Sequence, residues 1–398
     1  MTHLLLSCLG LGLMAVTLPL VLELALVTSA AVPLARSRRR EEDRSVEGYS
    51  LAIVIPAHNE EMLIERCVRS LLESAGPDAG GRIFVVAHNC TDSTAERARA
   101  ADAQVLIYDD PAARGKGFAL SHGFAQALAS EADAVLVIDA DSVVSKNLVP
   151  AVERLLANGA DALQCRYEME SATEKASGGL AALALRGFNV VRPRGRERLG
   201  LSAGIFGNGF ALTRALLNEV PYGAYSVVED LEYHINLVIA GKRVHFLEGA
   251  LVSATLPASR QGETVQRSRW EGGRFHVART WTGPLLKQVL RGRLRLAEPL
   301  LDVAGLPMAY GVFALLLALC MPLPAVRVYA LASFAVIAFH VLVAASLGPD
   351  FLKTLGLLAM APVYIVWKLC LLPAVLRGSR GKAAWIRTNR DSNFRSIS

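Results

Sequence analysis

Two hydrophobic patterns alternate along this chain and divide it into segments of different kinds. Nearly unbroken apolar stretches run over Leu4–Ala35, interrupted only by Glu23, and over Leu300–Leu323, interrupted by Asp302. Two more cover Val328–Leu347, with no formal charge, and Leu355–Leu376, interrupted by Lys368. Each is long enough for a hydrocarbon core that takes about 20 helical residues. Between the first and second, roughly 250 residues switch to short apolar runs separated by amphipathic segments. Leu51–Ile55, closed by Pro56, reads as a buried strand, as do Ile83–Ala87, Gln104–Tyr108 and the run from Asp133 to Ile138. The segments between them repeat at helical spacing. One opens at Glu60 and Glu61 with Asn59 as its cap and carries Leu63, Cys67 and Leu71 on one face; others span 93–101 and 118–130. Strands alternating with helices of this length predict βαβ units and a parallel sheet covered on both faces.

Composition strengthens the membrane reading. The chain has 398 residues, 53% of them hydrophobic, and a mean hydropathy of +0.35, too apolar for a purely soluble enzyme. Met1-Thr2-His3 lacks a basic start and the first apolar stretch is long, which predicts an uncleaved anchor rather than a signal peptide. The net charge of +6 gathers beside the apolar stretches: Arg36, Arg38, Arg39 and Arg40 after the first, Arg291, Arg293 and Arg295 before the second. Anionic lipid headgroups explain this better than nucleic acid, and the positive-inside rule assigns the polar domain to the cytoplasm. The expected organisation is an anchor over 1–35, a basic linker over 36–50, a cytosolic domain over 51–275, an amphipathic interfacial segment over 276–298, a C-terminal membrane region over 299–376 and a basic tail over 377–398. Three full crossings after the domain would leave that arginine-rich tail outside. One stretch is therefore expected to be interfacial or re-entrant, with Leu355–Leu376, broken by Pro362 and carrying Lys368, the best candidate. The six scattered cysteines form no metal-binding spacing and fit small core residues in a reducing compartment.

The candidate chemistry follows the strands. The run Asp133 to Ile138 stops at Asp139 and Asp141, which lean to the same side of an extended chain and could share one hard cation. Read plainly, they belong to a polar turn. Arg114-Gly115-Lys116-Gly117 offers backbone N–H groups and positive charge at a helix start, an anion-binding arrangement that lacks P-loop spacing. A glycine-rich loop spans 204–209. Glu229-Asp230 opens a further helix, where acids also complement the helix dipole. Gln266, Arg269 and Trp270 stand at i, i+3 and i+4 on one helical face, a pattern that a basic interfacial helix would share.

Together and in this order, Pro56-Ala57-His58-Asn59-Glu60, Asn89 to Asp92, Gly115-Lys116-Gly117, Asp139 with Asp141, Glu229-Asp230 and Gln266-Arg267-Ser268-Arg269-Trp270 resemble the membrane-embedded family 2 glycosyltransferases. That group includes the cellulose, hyaluronan and chitin synthases and the ceramide glucosyltransferases. The resemblance implies a GT-A-type, Rossmann-like α/β cytosolic domain with N- and C-terminal transmembrane helices, in the bacterial inner membrane. It implies an inverting transfer from a nucleotide diphosphate sugar, usually a UDP-sugar, to a growing polysaccharide or glycan. Single-step glycosylation of a membrane lipid is the alternative, and a transporter with a nucleotide-sensing domain is the reading from another class. By the same resemblance Pro56, Ala57, Asn59, Glu60 and Asp92 hold the uridine, Lys116, Gln266, Arg269 and Trp270 line the diphosphate and acceptor channel, and Asp139 and Asp141 bind Mg2+ or Mn2+. Asp230, beside Glu229, takes the role of general base. One departure is His88, where the family often has an acid. Oligomeric state stays open.

Overall fold

The structure, a computed structural model, describes residues 1–32, 49–171, 176–257 and 259–378. The arginine-rich linker and most of the basic tail lie outside the described residues. The chain opens with helix α1 (Thr2–Ala31). Strand β1 (Leu51–Ala57) is buried at all seven positions and pairs in parallel with both β2 (Ile83–His88) and β4 (Ala134–Val137). β2 also pairs in parallel with β3 (Gln104–Tyr108). Alternate residues of β1 feed opposite cores, as strand geometry requires. Ile53 and Ile55 pack with α2 (Ile64–Ala75), while Ala52 and Val54 face α4 (Lys116–Ala129). Gly123 lets α4 approach this closely, because a Cβ there would come within 2.5 Å of Val54 Cγ1. α3 (Thr94–Ala100) follows β2, and α5 (Leu148–Ala157) covers the sheet near α2.

The sheet is not parallel throughout. Its order is β3-β2-β1-β4-β7-β6-β8-β5, and β7 (Phe210–Thr213) runs antiparallel to both β4 and β6 (Ala162–Glu170). β6 pairs in parallel with β8 (Val244–Thr255) across a bulge at Cys165/Arg166, and β5 (Val143–Val144) closes the far edge. The parallel expectation therefore holds for the first four strands. Beyond them the chain enters β7 from the loop at 204–209 in the reverse direction. Between β6 and β7 lie α6 (Ala176–Arg186), a π-helical turn at Gly187–Val191 and α7 (Arg192–Arg198); α8 (Arg214–Glu219) and α9 (Glu229–Ile239) precede β8. Two local expectations also change. Helix α2 begins at Ile64, so Asn59 is not its cap, and Pro56 continues the strand.

α10 (Arg260–Leu290) runs uninterrupted through residue 275, joining the sheet domain to the helices that follow. Those are α11 (Ala297–Ala304), α12 (Met308–Leu319), α13 (Pro324–Ser346), α14 (Phe351–Leu357) and α15 (Ala361–Gly378). α1 packs against α7, α12 and α13, and α10 against α11 and α15. Among the described residues three helical stretches are long and apolar enough to cross a membrane: Thr2–Ala31, Pro324–Ser346 and Phe351–Arg377. A fourth, Leu294–Ala304 with Met308–Leu319, is bent by 82°. The break thus falls in the second apolar stretch, at Gly305-Leu306-Pro307, and not in Leu355–Leu376. Pro362 sits in the first turn of α15, where a helix tolerates proline, whereas Pro307 lies just outside α12 and ends the preceding run. Cys67 and Cys165 are core residues, but Cys8, Cys320 and Cys370 are exposed on helix surfaces.

Candidate active site

The loops after β1 and β2 are tied to each other. Asn59, at φ +57°, accepts the Thr91 N–H on Oδ1 at 2.7 Å. Asp92 accepts the Thr94 N–H and hydroxyl on Oδ1 and the Glu61 N–H on Oδ2. The Glu60 N–H donates to Thr94 Oγ1 at 2.8 Å. Of the five residues expected at the uridine, Pro56 and Glu60 line the main cavity. Ala57 is wholly buried beneath them, and Asn59 and Asp92 direct oxygens into the loop framework. His88 is fully buried and stacks on Tyr108 at 4.8 Å, which stacks in turn on His122 at 4.7 Å. Burial holds its pKa below the ordinary histidine value, so it is neutral at pH 7.

Asp139 and Asp141 lie just past the end of β4, in a turn closed by the Ser142 N–H donating to the Asp139 carbonyl. They are neighbours across that turn rather than along an extended strand. Asn208 holds the turn from the opposite loop. Its Oδ1 accepts the Asp139 N–H at 3.0 Å, and its Nδ2 donates to Ser142 Oγ, which donates to Asp141 Oδ1. Lys116, in the first turn of α4, donates to Asp139 Oδ1 at 2.5 Å and to the Gly207 carbonyl at 2.6 Å. Gly207 has φ +74°, and a Cβ there would stand 3.3 Å from Asp230 Oδ2 and 3.4 Å from Lys116 Nζ. The left-handed backbone there favours glycine. Asp230 and Lys116 thus flank one backbone atom.

The charges in this pocket are unequal. Glu229 is 7% exposed, and burial together with the Asp230 charge pushes its pKa up to about 8. Burial also raises Asp230, against the Leu231 N–H that donates to its Oδ1 at 2.8 Å and against Lys116. Burial works against the Lys116 ammonium, but Asp139, Glu229 and Asp230 outweigh it and hold that pKa above the usual lysine value. Such opposed shifts on neighbouring groups in a cleft are a functional-site signature.

α10 supplies the other wall: Gln266, Arg269 and Trp270 all line a cavity of about 630 Å³ that also includes Lys116, Asp139, Asp141, Glu229 and Asp230. Trp270 packs on the edge of the sheet core. Asn208 and Ser142 join the site without having been singled out in the sequence. The glycines around Asn208 were the only local signal for it.

The cavity continues away from the strand ends into the helices. There Arg192 and Arg196 of α7 grip Glu23 of α1 and Asp302 of α11, and Arg274 of α10 donates to Asp302 at 2.7 Å. Lys368 of α15 pairs with Glu271, which also accepts the Tyr310 hydroxyl. Every charge that interrupts an apolar stretch in the sequence therefore has an opposite partner from another element.

Among the described residues no group of three or more His, Cys, Asp or Glu side chains converges on a point. Two hard carboxylates beside an acid-rich pocket nevertheless fit Mg2+ or Mn2+. Such an ion is often held by one or two carboxylates and completes its shell from phosphate oxygens and water.

The model of the family described as glycosyltransferase like family 2 matches residues 49–273. The probable glycosyltransferase YdaM of Bacillus subtilis strain 168 is 26% identical over 57% of this chain and 56% of its own length. The glycosyltransferase AglD of Haloferax volcanii is 30% identical over 32% of this chain and 21% of its own. The chain thus spans little more than half the length of the first of these curated relatives and about a fifth of the second. Among solved structures, the mannosyltransferase PcManGT from Pyrobaculum calidifontis, in complex with GDP-Man and Mn2+, shares the fold with a TM-score of 0.53. It is 16% identical, and the match covers 94% of this chain and 98% of that one. The architecture is accordingly a mixed α/β fold of the GT-A type.

Proposed function

This chain belongs to glycosyltransferase-like family 2, and on that premise we propose that it transfers a sugar, with inversion, from a nucleoside diphosphate sugar to an acceptor hydroxyl. The donor is a UDP-sugar by the motif reading. The observation that carries the proposal is the meeting of Lys116, Asp139 and Asp230 around the Gly207 backbone. A leaving diphosphate develops negative charge, which Lys116 and Arg269 stabilise as it forms. A divalent ion on Asp139 and Asp141, when bound, adds Lewis-acid neutralisation of the same charge. The acceptor oxygen attacks the anomeric carbon from the opposite face and gives its proton to Asp230 Oδ2. Below about pH 8 Glu229 stays protonated and leaves Asp230 as the base of the pair. Trp270 offers an apolar platform for a sugar ring.

The acceptor reading changes order from the sequence. The cavity runs from Asp230 to side chains of α13 and α15, including Val341, Ala344, Ala361 and Ile365. That apolar wall favours a membrane lipid over a growing glycan. We assign α1, α13 and the pair α14–α15 as membrane crossings and the bent pair α11–α12 as re-entrant. Two crossings after a cytoplasmic domain return the basic tail to the cytoplasm, as the positive-inside rule asks. Residues 51–275 are the proposed catalytic domain, and the inner membrane is the proposed location.

The test is direct. The full chain in lipid nanodiscs, given UDP- or GDP-sugars, Mn2+ and a bacterial lipid extract, is expected to form one glycolipid, lost in excess chelator and in Asp141→Asn. A polymer ladder would restore the glycan reading. No sugar transfer from any donor would overturn the enzyme assignment.

A further inference from the structure

One turn of α10 holds more polar groups than it has partners. Arg267 is 7% exposed, lines the cavity, and leaves both Nε and Nη2 without hydrogen-bond partners. Its one ion pair among the described residues is to Glu263 at 4.0 Å, the outer limit of such a contact. Gln266, 5% exposed, also lines the cavity and has an Oε1 without a hydrogen-bond partner. Across from them the buried Tyr364 hydroxyl of α15 is also unpartnered, and both Arg267 and Glu263 act electrostatically on it. A buried guanidinium and amide left this way carry a desolvation cost that something has to offset. Ala361 and Ile365 flank Tyr364 on the same helix and line the same cavity.

We infer that this end of the cavity is the head-group subsite of the sugar acceptor, and that the acceptor is an uncharged amphiphile whose head carries hydroxyl groups. The inference rests on the transfer reaction proposed above. The set that lines the cavity mixes donors on Arg267 with an acceptor on Gln266, and Tyr364 can be either. Hydroxyls donate and accept, so they can satisfy all three residues at once. A phosphate head only accepts once ionised, and would leave the Gln266 oxygen facing its lone pairs. The neighbouring cations are also spoken for: Lys368 by Glu271, and Arg192 and Arg274 by Glu23 and Asp302. Arg267 itself has Glu263 beside it, so each of these four cations already has a carboxylate neighbour. Apolar side chains of α13 and α15 then receive the tail, and the head hydroxyl lies on the path toward Asp230.

Binding separates this subsite from the reaction. The full chain in nanodiscs is titrated with dihexanoylglycerol, with dihexanoyl phosphatidic acid, and with cellotetraose, which has hydroxyls but no tail. Each is repeated for Arg267→Gln and Tyr364→Phe, and UDP and GDP affinity is measured in the same preparations with Mn2+. Dihexanoylglycerol is expected to bind best, and about tenfold more weakly in each variant, the loss of one buried hydrogen bond. Nucleotide affinity should be unchanged. Tighter binding of phosphatidic acid would make this an anion site, equal binding of cellotetraose would remove the amphiphile, and unchanged affinity in both variants would remove the subsite. If nucleotide fails to bind while dihexanoylglycerol binds as expected, the transfer reaction falls and the subsite stands. If nucleotide binds and dihexanoylglycerol does not, the reverse holds.

Discussion

The cavity has two charged ends that were built to opposite rules. At the strand ends, Asp139, Asp141, Glu229 and Asp230 gather with Lys116, which pairs with Asp139, and two of the acids are pushed up in pKa. Toward the helices, Glu23, Asp302 and Glu298 meet Arg192, Arg196 and Arg274, three against three, with short contacts throughout most of the network. An imbalance of charge is unfavourable in a resting protein unless a cation or a reaction uses it, whereas a balanced buried network asks for nothing further. The first end therefore reads as chemistry and the second as architecture. Substitutions should separate them: at the first, rate falls and the fold survives; at the second, the fold weakens and the remaining folded protein still binds nucleotide.

The largest expected effect is Asp230→Asn. Loss of a general base costs about 10²- to 10⁴-fold in rate, roughly 3 to 5 kcal/mol, with nucleotide affinity by calorimetry near that of the wild type. If Asp230 only complements the dipole of α9, transfer would instead stay near normal and stability would drop by about 0.3 to 1 kcal/mol. Next is Asp302→Asn, which strips one carboxylate from contacts with Arg192, Arg196 and Arg274. Breaking a buried pair costs about 3 to 5 kcal/mol, seen as a lower thermal midpoint with nucleotide affinity retained below it. A midpoint equal to the wild type would erase the distinction between the two ends.

The third effect is a dependence on pH. The Glu229 carboxyl keeps its proton in the folded chain up to about pH 8, while the unfolded carboxyl releases it near its ordinary value of 4.5. Between those values the folded state binds more protons, so this group's contribution to stability falls as pH rises and levels off above about 8. Glu229→Gln cannot ionise. Its thermal midpoint should decline less than the wild type between pH 5 and 8, and parallel curves would mean that Glu229 is charged at neutral pH.

How legible these two ends were in the sequence differs as sharply as their chemistry. Asp139, Asp141, Lys116 and Glu229-Asp230 were readable because each stands within a few residues of a strand end or helix start. In a sheet whose first strands are parallel, those ends open on one side. Local pattern marks such residues one by one. Asn208 escaped notice because an asparagine between glycines looks like any turn, and its task depends on Asp139 arriving from 69 residues away. The antiparallel insertion of β7 was equally hidden, since a four-residue apolar strand carries no mark of its direction.

By itself, then, the sequence determined the alternating α/β core, the identity of the acids and the lysine at its strand ends, and the existence of long apolar helices around it. Periodicity and composition encode these, and they require only near neighbours along the chain. The tertiary structure decided what the charges inside the apolar stretches are for. Glu23 reads as a defect in a hydrophobic run until α7 brings Arg192 to it across 169 residues, and Asp302 until the same arginine reaches it across 110. A charge in an apolar segment is costly alone and acceptable only beside its partner. Which partner arrives is settled by packing between distant helices, and no local pattern carries that information.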